Sequence, residues 1–285
     1  MAFTTLTFLA TSAQAAHPHP EPTRQILPAN GHTSERAQSR IFYLSRDPLQ
    51  LRPGDNDATA GTSSVATQET VVGGWDIDDD SWQQTVSCIR DMYSRWDVTV
   101  TDQDPGDVPH ILAHIGGSPE DLGLDDTVAG ISPFTTDCGI IENSIVFTFT
   151  DVLDDDPQYI CEVMSQEIAH SFGLDHEMLA PDPMTYLDYA PPRSFQDEDA
   201  SCGEYEPRDC GVNGSVCRAS QNSVQLLTER LGLAAGASDG DDGDTTTKAH
   251  TGLDGIVSGC STSRGGSGGI AMALAMLALR RRRRH

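Results

Sequence analysis

Basic residues are scarce in this sequence. Eighteen Lys and Arg stand against 43 Asp and Glu over 285 residues, for a formal net charge of -25. A polyanion of this kind repels nucleic acid, so DNA and RNA are excluded as expected partners. The Arg run, Arg280 to Arg284, is confined to the extreme C-terminus. Seven cysteines are present, but no Cys-x-x-Cys pair occurs, which argues against a cysteine zinc knuckle or a thioredoxin-type site. Two acidic clusters, Asp55-Asn56-Asp57 and Asp239 to Asp244, lack the glycine and glutamate spacing of an EF-hand and read as solvated loop and linker. Long apolar runs are absent as well. The most apolar stretch, Ile270 to Leu279, falls short of the roughly 20 residues a spanning helix needs.

What is present points to export. Residues 1–16 read as a signal peptide, with an apolar stretch through Phe8, Leu9 and Ala10 and a small-x-small cleavage site at Ala13-Gln14-Ala15, although no Lys or Arg precedes it. Cys88, Cys138, Cys161, Cys202, Cys210 and Cys217 form an even set, which fits three disulfides in an oxidising compartment. Cys202, Cys210 and Cys217 are close enough for at least one short-loop bridge, and Cys260 is left over.

Residues 17–39, rich in Pro, His, Ser and Thr, are expected to be disordered or a short pro-segment, and 40–233 to form one α/β domain. Strands are expected at Ile41 to Leu44, Asp97 to Thr101, Ile111 to Ile115 and Ser144 to Thr150. Trp82, Val86, Ile89, Tyr93 and Trp96 make a helical stripe, with Asp80 or Ser81 as its cap. Residues 53–66 and 118–144 read as loops. Asp156 and Pro157 are good first residues for a second helix running to about Phe172, with Gly173 as its stop. A last helix covers roughly Asn222 to Leu231. Residues 234–258 read as a flexible acidic linker and 259–285 as a C-terminal tail.

The chemistry concentrates in residues 166–177, Gln-Glu-Ile-Ala-His-Ser-Phe-Gly-Leu-Asp-His-Glu. Gln166 and His170 are four apart and share a helix face, with Glu167 about 100° round the helix. Ile160, Met164 and Ile168 form the apolar back. Gly173 lets the chain turn and bring His176 toward the same point. Two neutral imidazoles suit Zn²⁺, which lowers the pKa of a coordinated water to roughly 7. A carboxylate beside that water can take its proton, the role expected of Glu167 as general base. His110 and His114 share one face of a strand and offer a further imidazole pair, but two histidines lining a sheet is the weightier reading. His17, His19 and His32 sit in the N-terminal part and are poor ligand candidates.

The string resembles the metzincin zinc-peptidase signature HExxHxxGxxH, with Glu167, His170, Gly173 and His176 in register. Asp182-Pro183-Met184-Thr185-Tyr186 resembles the methionine turn of that family. The resemblance implies a zincin domain with a twisted mixed sheet packed on an N-terminal helix and an active-site helix, and a small C-terminal subdomain with one helix. It also implies one catalytic Zn²⁺ held by His170, His176 and, at the position of a histidine, Gln166. By the same resemblance Met184 and Gly173 are structural, Tyr186 is an oxyanion stabiliser and Glu177 is a structural acid. Gln166 is the departure. Its amide oxygen is a harder, weaker donor that can ligate, can instead bond a water, or can signal that the metal has been lost. The implied activity is an exported zinc endopeptidase acting on protein or peptide substrates, most simply as a monomer. The alternative is a catalytically inactive surface binding or adhesion protein on the same scaffold.

The tail, with Gly259-Cys260, a Ser/Gly spacer, an apolar stretch and arginines, resembles the MYXO-CTERM sorting class. That implies cleavage near Cys260 and anchoring at the cell surface; a plain membrane anchor is the other reading.

Overall fold

The computed structural model describes residues 20–237, apart from 34 and 191. Alternating apolar residues build its main sheet. Strands β1 (Glu21–Leu27), β2 (Ile41–Ser45), β6 (Thr99–Thr101), β7 (Ile111–Ile115), β8 (Val128–Thr135) and β9 (Ile145–Thr148) pair in the order β1-β8-β9-β7-β2-β6. All neighbours run parallel except β8 and β9, so the sheet is mixed. A small second sheet joins β4 (Thr62–Ser63), β3 (Leu49–Pro53) and β5 (Thr70–Val72) in that order.

The period-2 pattern separates two faces. Ile111, Ala113, Ile115 and Val146 join the larger core, with helices α1 (Asp79–Met92), α2 (Pro157–His170) and α3 (Ser223–Leu231). Leu112, Ile145 and Phe147 point to the other face and pack with Leu51 and Val72 of the small sheet. Helix α3, the one helix expected in the C-terminal part, buries Val224, Leu227 and Leu231 in the larger core.

Three ties fix α2, the helix that carries the candidate site. Asp156 caps it, its side chain accepting from Gln158 N at 3.0 Å, and Pro157 starts it without wasting a backbone donor. The Cys88–Cys161 disulfide staples it to α1. Tyr93, fully buried, donates its hydroxyl to the Ser165 carbonyl at 2.7 Å. Ile160, Met164 and Ile168 are completely buried, as the apolar back of the helix requires.

The remaining bridges are Cys138–Cys217 and Cys202–Cys210, the latter the short loop expected from the spacing. Three disulfides among the described residues fit an oxidising, extracellular setting. No helix among those residues is long and apolar enough to cross a membrane.

Four expectations need correction. Residues 21–27, expected to be disordered or a short pro-segment, are not disordered but form β1, seven residues paired along β8. Its sequence, Glu-Pro-Thr-Arg-Gln-Ile-Leu, has no alternation because it is an added edge strand, half-buried along its whole length. Within the stretch read as loop at 118–144, β8 runs for eight residues. Gly130 and Pro133 hid it, and nearly every residue is buried, so no polar alternation betrays it. In the stretch at 53–66, likewise read as loop, lies the short strand β4. Finally, α1 is capped by Asp78, whose side chain accepts from Ser81 N, and it ends at Tyr93, leaving Trp96 beyond it. The signal peptide, most of the linker, the tail and Cys260 lie outside the described residues.

Candidate metal and peptide site

Helix α2 delivers Gln166, Glu167 and His170 on its last turns, and each is at most 1% exposed. After α2 the chain turns at Gly173, whose φ of +78° is left-handed. A Cβ there would collide with the Cys138 carbonyl, so only glycine allows this turn. The turn brings His176 back so that its Nε2 stands 3.0 Å from His170 Nε2. A tetrahedral zinc with bonds of about 2.0–2.1 Å would set two such nitrogens roughly 3.3 Å apart. The spacing is therefore close to that of a ligand pair.

The other nitrogens explain why the two Nε2 atoms face each other. His170 Nδ1 meets the Leu174 carbonyl at 2.7 Å, and His176 Nδ1 meets Glu204 Oε1 at 3.1 Å. Such partners fix tautomer and ring orientation, and a carboxylate behind a histidine raises its basicity as a ligand. Burial, then Arg24 nearby, pushes the pKa of His176 down to about 4. Burial, then His176 and Arg24, pushes His170 well down. Both imidazoles are thus neutral, the state that ligates a metal.

Two buried oxygen donors complete the group. Gln166 donates its amide to the Pro183 carbonyl at 2.6 Å, leaving its Oε1 without a hydrogen-bond partner. Neither Glu167 oxygen has a hydrogen bond of ordinary geometry. Burial pushes the Glu167 carboxyl well up, with Ser132 and Arg24 opposing. Space for it is made by Gly130 of β8, where a Cβ would lie 2.7 Å from Glu167 Oε1. Unpaired buried polar atoms are costly, so orphaned oxygens on the last turns of the helix that carries His170 fit an ion or an activated water.

The turn after His176 is tightly held. Asp182 accepts Met184 N at 2.8 Å and Gln196 N at 2.7 Å, Glu177 N donates to the Met184 carbonyl at 2.8 Å, and Met184 is fully buried in the larger core. The Tyr186 ring lies 4.4 Å from that of His176, and its hydroxyl donates to the Pro22 carbonyl of β1. Glu177 and Asp182 are buried together, and burial raises both carboxyls. Asp182 keeps two backbone donors, so the shared proton resides on Glu177. Its folded-state pKa therefore exceeds the unfolded one. The stability it confers is complete below the ordinary carboxylate range and is lost as pH rises through neutral. Glu177→Gln should consequently match the wild type at pH 4.5 and exceed it at pH 8 by at least about 1 kcal/mol, or about 2–4 °C in Tm for a domain of this size. Thermal melts at the two pH values check this, and equal differences at both would contradict it.

Several participants were not legible beforehand. Asp175 is fully buried and accepts Arg208 Nη1 at 2.6 Å, Arg208 Nη2 at 3.0 Å, Gly211 N at 2.7 Å and His176 N at 2.8 Å. Glu204 accepts Arg208 Nη2 at 2.8 Å. Arg24 of β1 reaches both carboxylates and lies with its guanidinium carbon 5.0 Å over the Phe134 ring. Although burial opposes it, Arg208 and Arg24 hold Asp175 well below the carboxylate range. In Glu204, burial is likewise outweighed by His176 and Arg208. Asp175, His176 and Glu204 offer ligand atoms within 4.8 Å of one another, but two guanidinium groups already supply the cationic charge there. That subset fits an organic cation better than a metal ion. An acid directly before His176 was the available signal for Asp175; nothing in the sequence marked Arg24, Glu204 or Arg208.

The remaining histidines among the described residues take no part. His114 Nε2 meets the Gly73 carbonyl at 2.8 Å, on the face where its ring meets Phe147, and burial lowers its pKa to about 4. His110 Nδ1 meets the Val108 carbonyl at 2.8 Å. His32 is exposed beside Glu35; His17 and His19 lie outside the described residues. In the acidic loop, Asn56 accepts from Ser63 and Ser64, and Asp57 from Thr59, as a self-bonded turn does.

Two hollows flank β1. One of about 540 Å³ is lined by Pro22, Tyr159, Gln166 and the stretch after Met184; the other, about 600 Å³, by Arg24, His176, Glu204 and Arg208. Tyr186 borders both. Comparison of the chain with protein-family models, curated proteins and solved structures finds no match.

Proposed function

We propose that this chain is an exported zinc-dependent endopeptidase of metzincin-like fold, anchored at the cell surface or secreted. The observation that carries it is the meeting of His170 and His176 at 3.0 Å, with Gln166 and Glu167 of the same helix α2 holding buried oxygens that lack hydrogen-bond partners. His170 and His176 would hold the ion, with the Gln166 amide oxygen as third donor. A zinc ion there supplies Lewis acidity and lowers the pKa of water in the site to about 7. Glu167 accepts a proton from the attacking water and passes it to the leaving amine. Tyr186, whose hydroxyl already donates to a peptide carbonyl, steadies the carbonyl oxygen as it gains charge. An extended substrate would lie along β8 in place of β1, which takes that edge in this fold.

Gln166 in place of a histidine supports the second reading, a peptide-binding surface protein without catalysis. Hydrolysis of an unfolded, fluorescently labelled protein separates the two. The peptidase reading expects cleavage that stops with a chelator and returns with zinc. Cleavage indifferent to both, or absent at every zinc concentration, would contradict it.

A further inference from the structure

We propose that the cleft recognises an arginine side chain of a bound peptide, through a pocket of Asp175, Glu204 and Phe134 that here holds the chain's own Arg24. The proposal rests on the cleft being a peptide site, the part of the function above that needs no catalysis.

Segment 21–27 is laid along β8 in continuous register from Pro22 opposite Gly130 to Leu27 opposite Thr135. Such a ladder is indifferent to side chains, so specificity must come from pockets beneath alternate residues. Arg24 is the residue whose side chain enters one. It is only 8% exposed, with one nitrogen on Asp175, another on Glu204 at 2.8 Å, and the guanidinium over Phe134. A planar fork across two carboxylates and above an aromatic face is arginine chemistry; a lysine ammonium satisfies only one of these contacts well.

The pocket also stands without its occupant. Asp175 keeps four other donors, from Arg208, Gly211 and His176, and Glu204 keeps Arg208 and His176. With Arg24 withdrawn, Arg208 is the one guanidinium left paired with the two carboxylates. The hollow then lacks the cation that occupied it, and its walls are already held by the fold. The Pro22 carbonyl, two residues before Arg24, takes the Tyr186 hydroxyl, so a peptide anchored by its arginine is carried past Tyr186 and His176.

The test uses the full chain carrying Arg24→Glu, which sets an anion against two carboxylates and ejects the segment. Arg24→Ala, which leaves Asp175 its other donors, serves if the charge reversal does not fold by circular dichroism. Binding of a labelled peptide, Pro-Glu-Pro-Thr-Arg-Gln-Ile-Leu-Pro, is followed by fluorescence anisotropy in the presence of a chelator. Versions with Ala and Lys in place of Arg are measured alongside. The variant should bind the arginine peptide at least about tenfold more tightly than the alanine peptide, with lysine between, and the wild-type chain should bind it at least about tenfold more weakly than the variant. Equal binding of the arginine and alanine peptides, or no binding to a folded variant, overturns the proposal. Because no metal is needed, arginine-selective binding without any proteolysis would sink the peptidase reading alone. Proteolysis without arginine discrimination would sink this pocket alone.

Discussion

Glu167→Ala should abolish peptide hydrolysis, lowering kcat by about 10²–10⁴-fold, while leaving zinc bound. The carboxylate is wholly buried, has no hydrogen bond of ordinary geometry, and stands close to Gly130, where a side chain would collide with it. A structural carboxylate would have partners, as Glu177 has Gln221 at 2.9 Å. Removing Glu167 should therefore cost little stability, since a buried unpaired acid contributes none. Steady-state hydrolysis and metal content measured on the same preparation check both halves. Activity that survives removes Glu167 from the mechanism, and loss of metal together with activity would make it a ligand instead.

Gln166→His should tighten zinc binding by about 10–100-fold. An imidazole is a softer and stronger donor for zinc than an amide oxygen. The surroundings accept the change, because the Gln166 amide donates to the Pro183 carbonyl at 2.6 Å and a histidine Nδ1–H can replace that bond. Its Nε2 would then face the ion, in the tautomer that a carbonyl partner selects. Competition against a fluorescent zinc chelator measures the shift. An unchanged affinity would show that position 166 is not a ligand, and the native glutamine would then be left to orient a water.

The placement of residues 166–176 was legible because its geometry is local. Four-residue spacing on a capped helix, followed by a glycine that must be left-handed, places Gln166, Glu167, His170 and His176 with little help from the rest of the chain. Strand β7 and helix α3 were equally plain, since each carries its own periodicity and stop signals. The wall of the cleft was not. Strand β8 is buried on both sides and broken by Gly130 and Pro133, so it has neither alternation nor β-rich composition. Strand β1 exists only because β8 offers an edge, and no window of its own sequence demands a strand. Arg24, Glu204 and Arg208 come together across up to 184 residues, a convergence that only the folded chain displays. The tyrosine was foreseen at Tyr186 from the motif, but not that a backbone carbonyl of the same chain would hold its hydroxyl.

Metal analysis of the full chain, purified without added zinc, bears most directly on the account. One zinc per molecule is expected in the wild type and none in His170→Ala or His176→Ala. A wild-type protein that takes up no zinc at micromolar concentration, or single histidine variants that keep it, would contradict the claim that these two imidazoles share an ion.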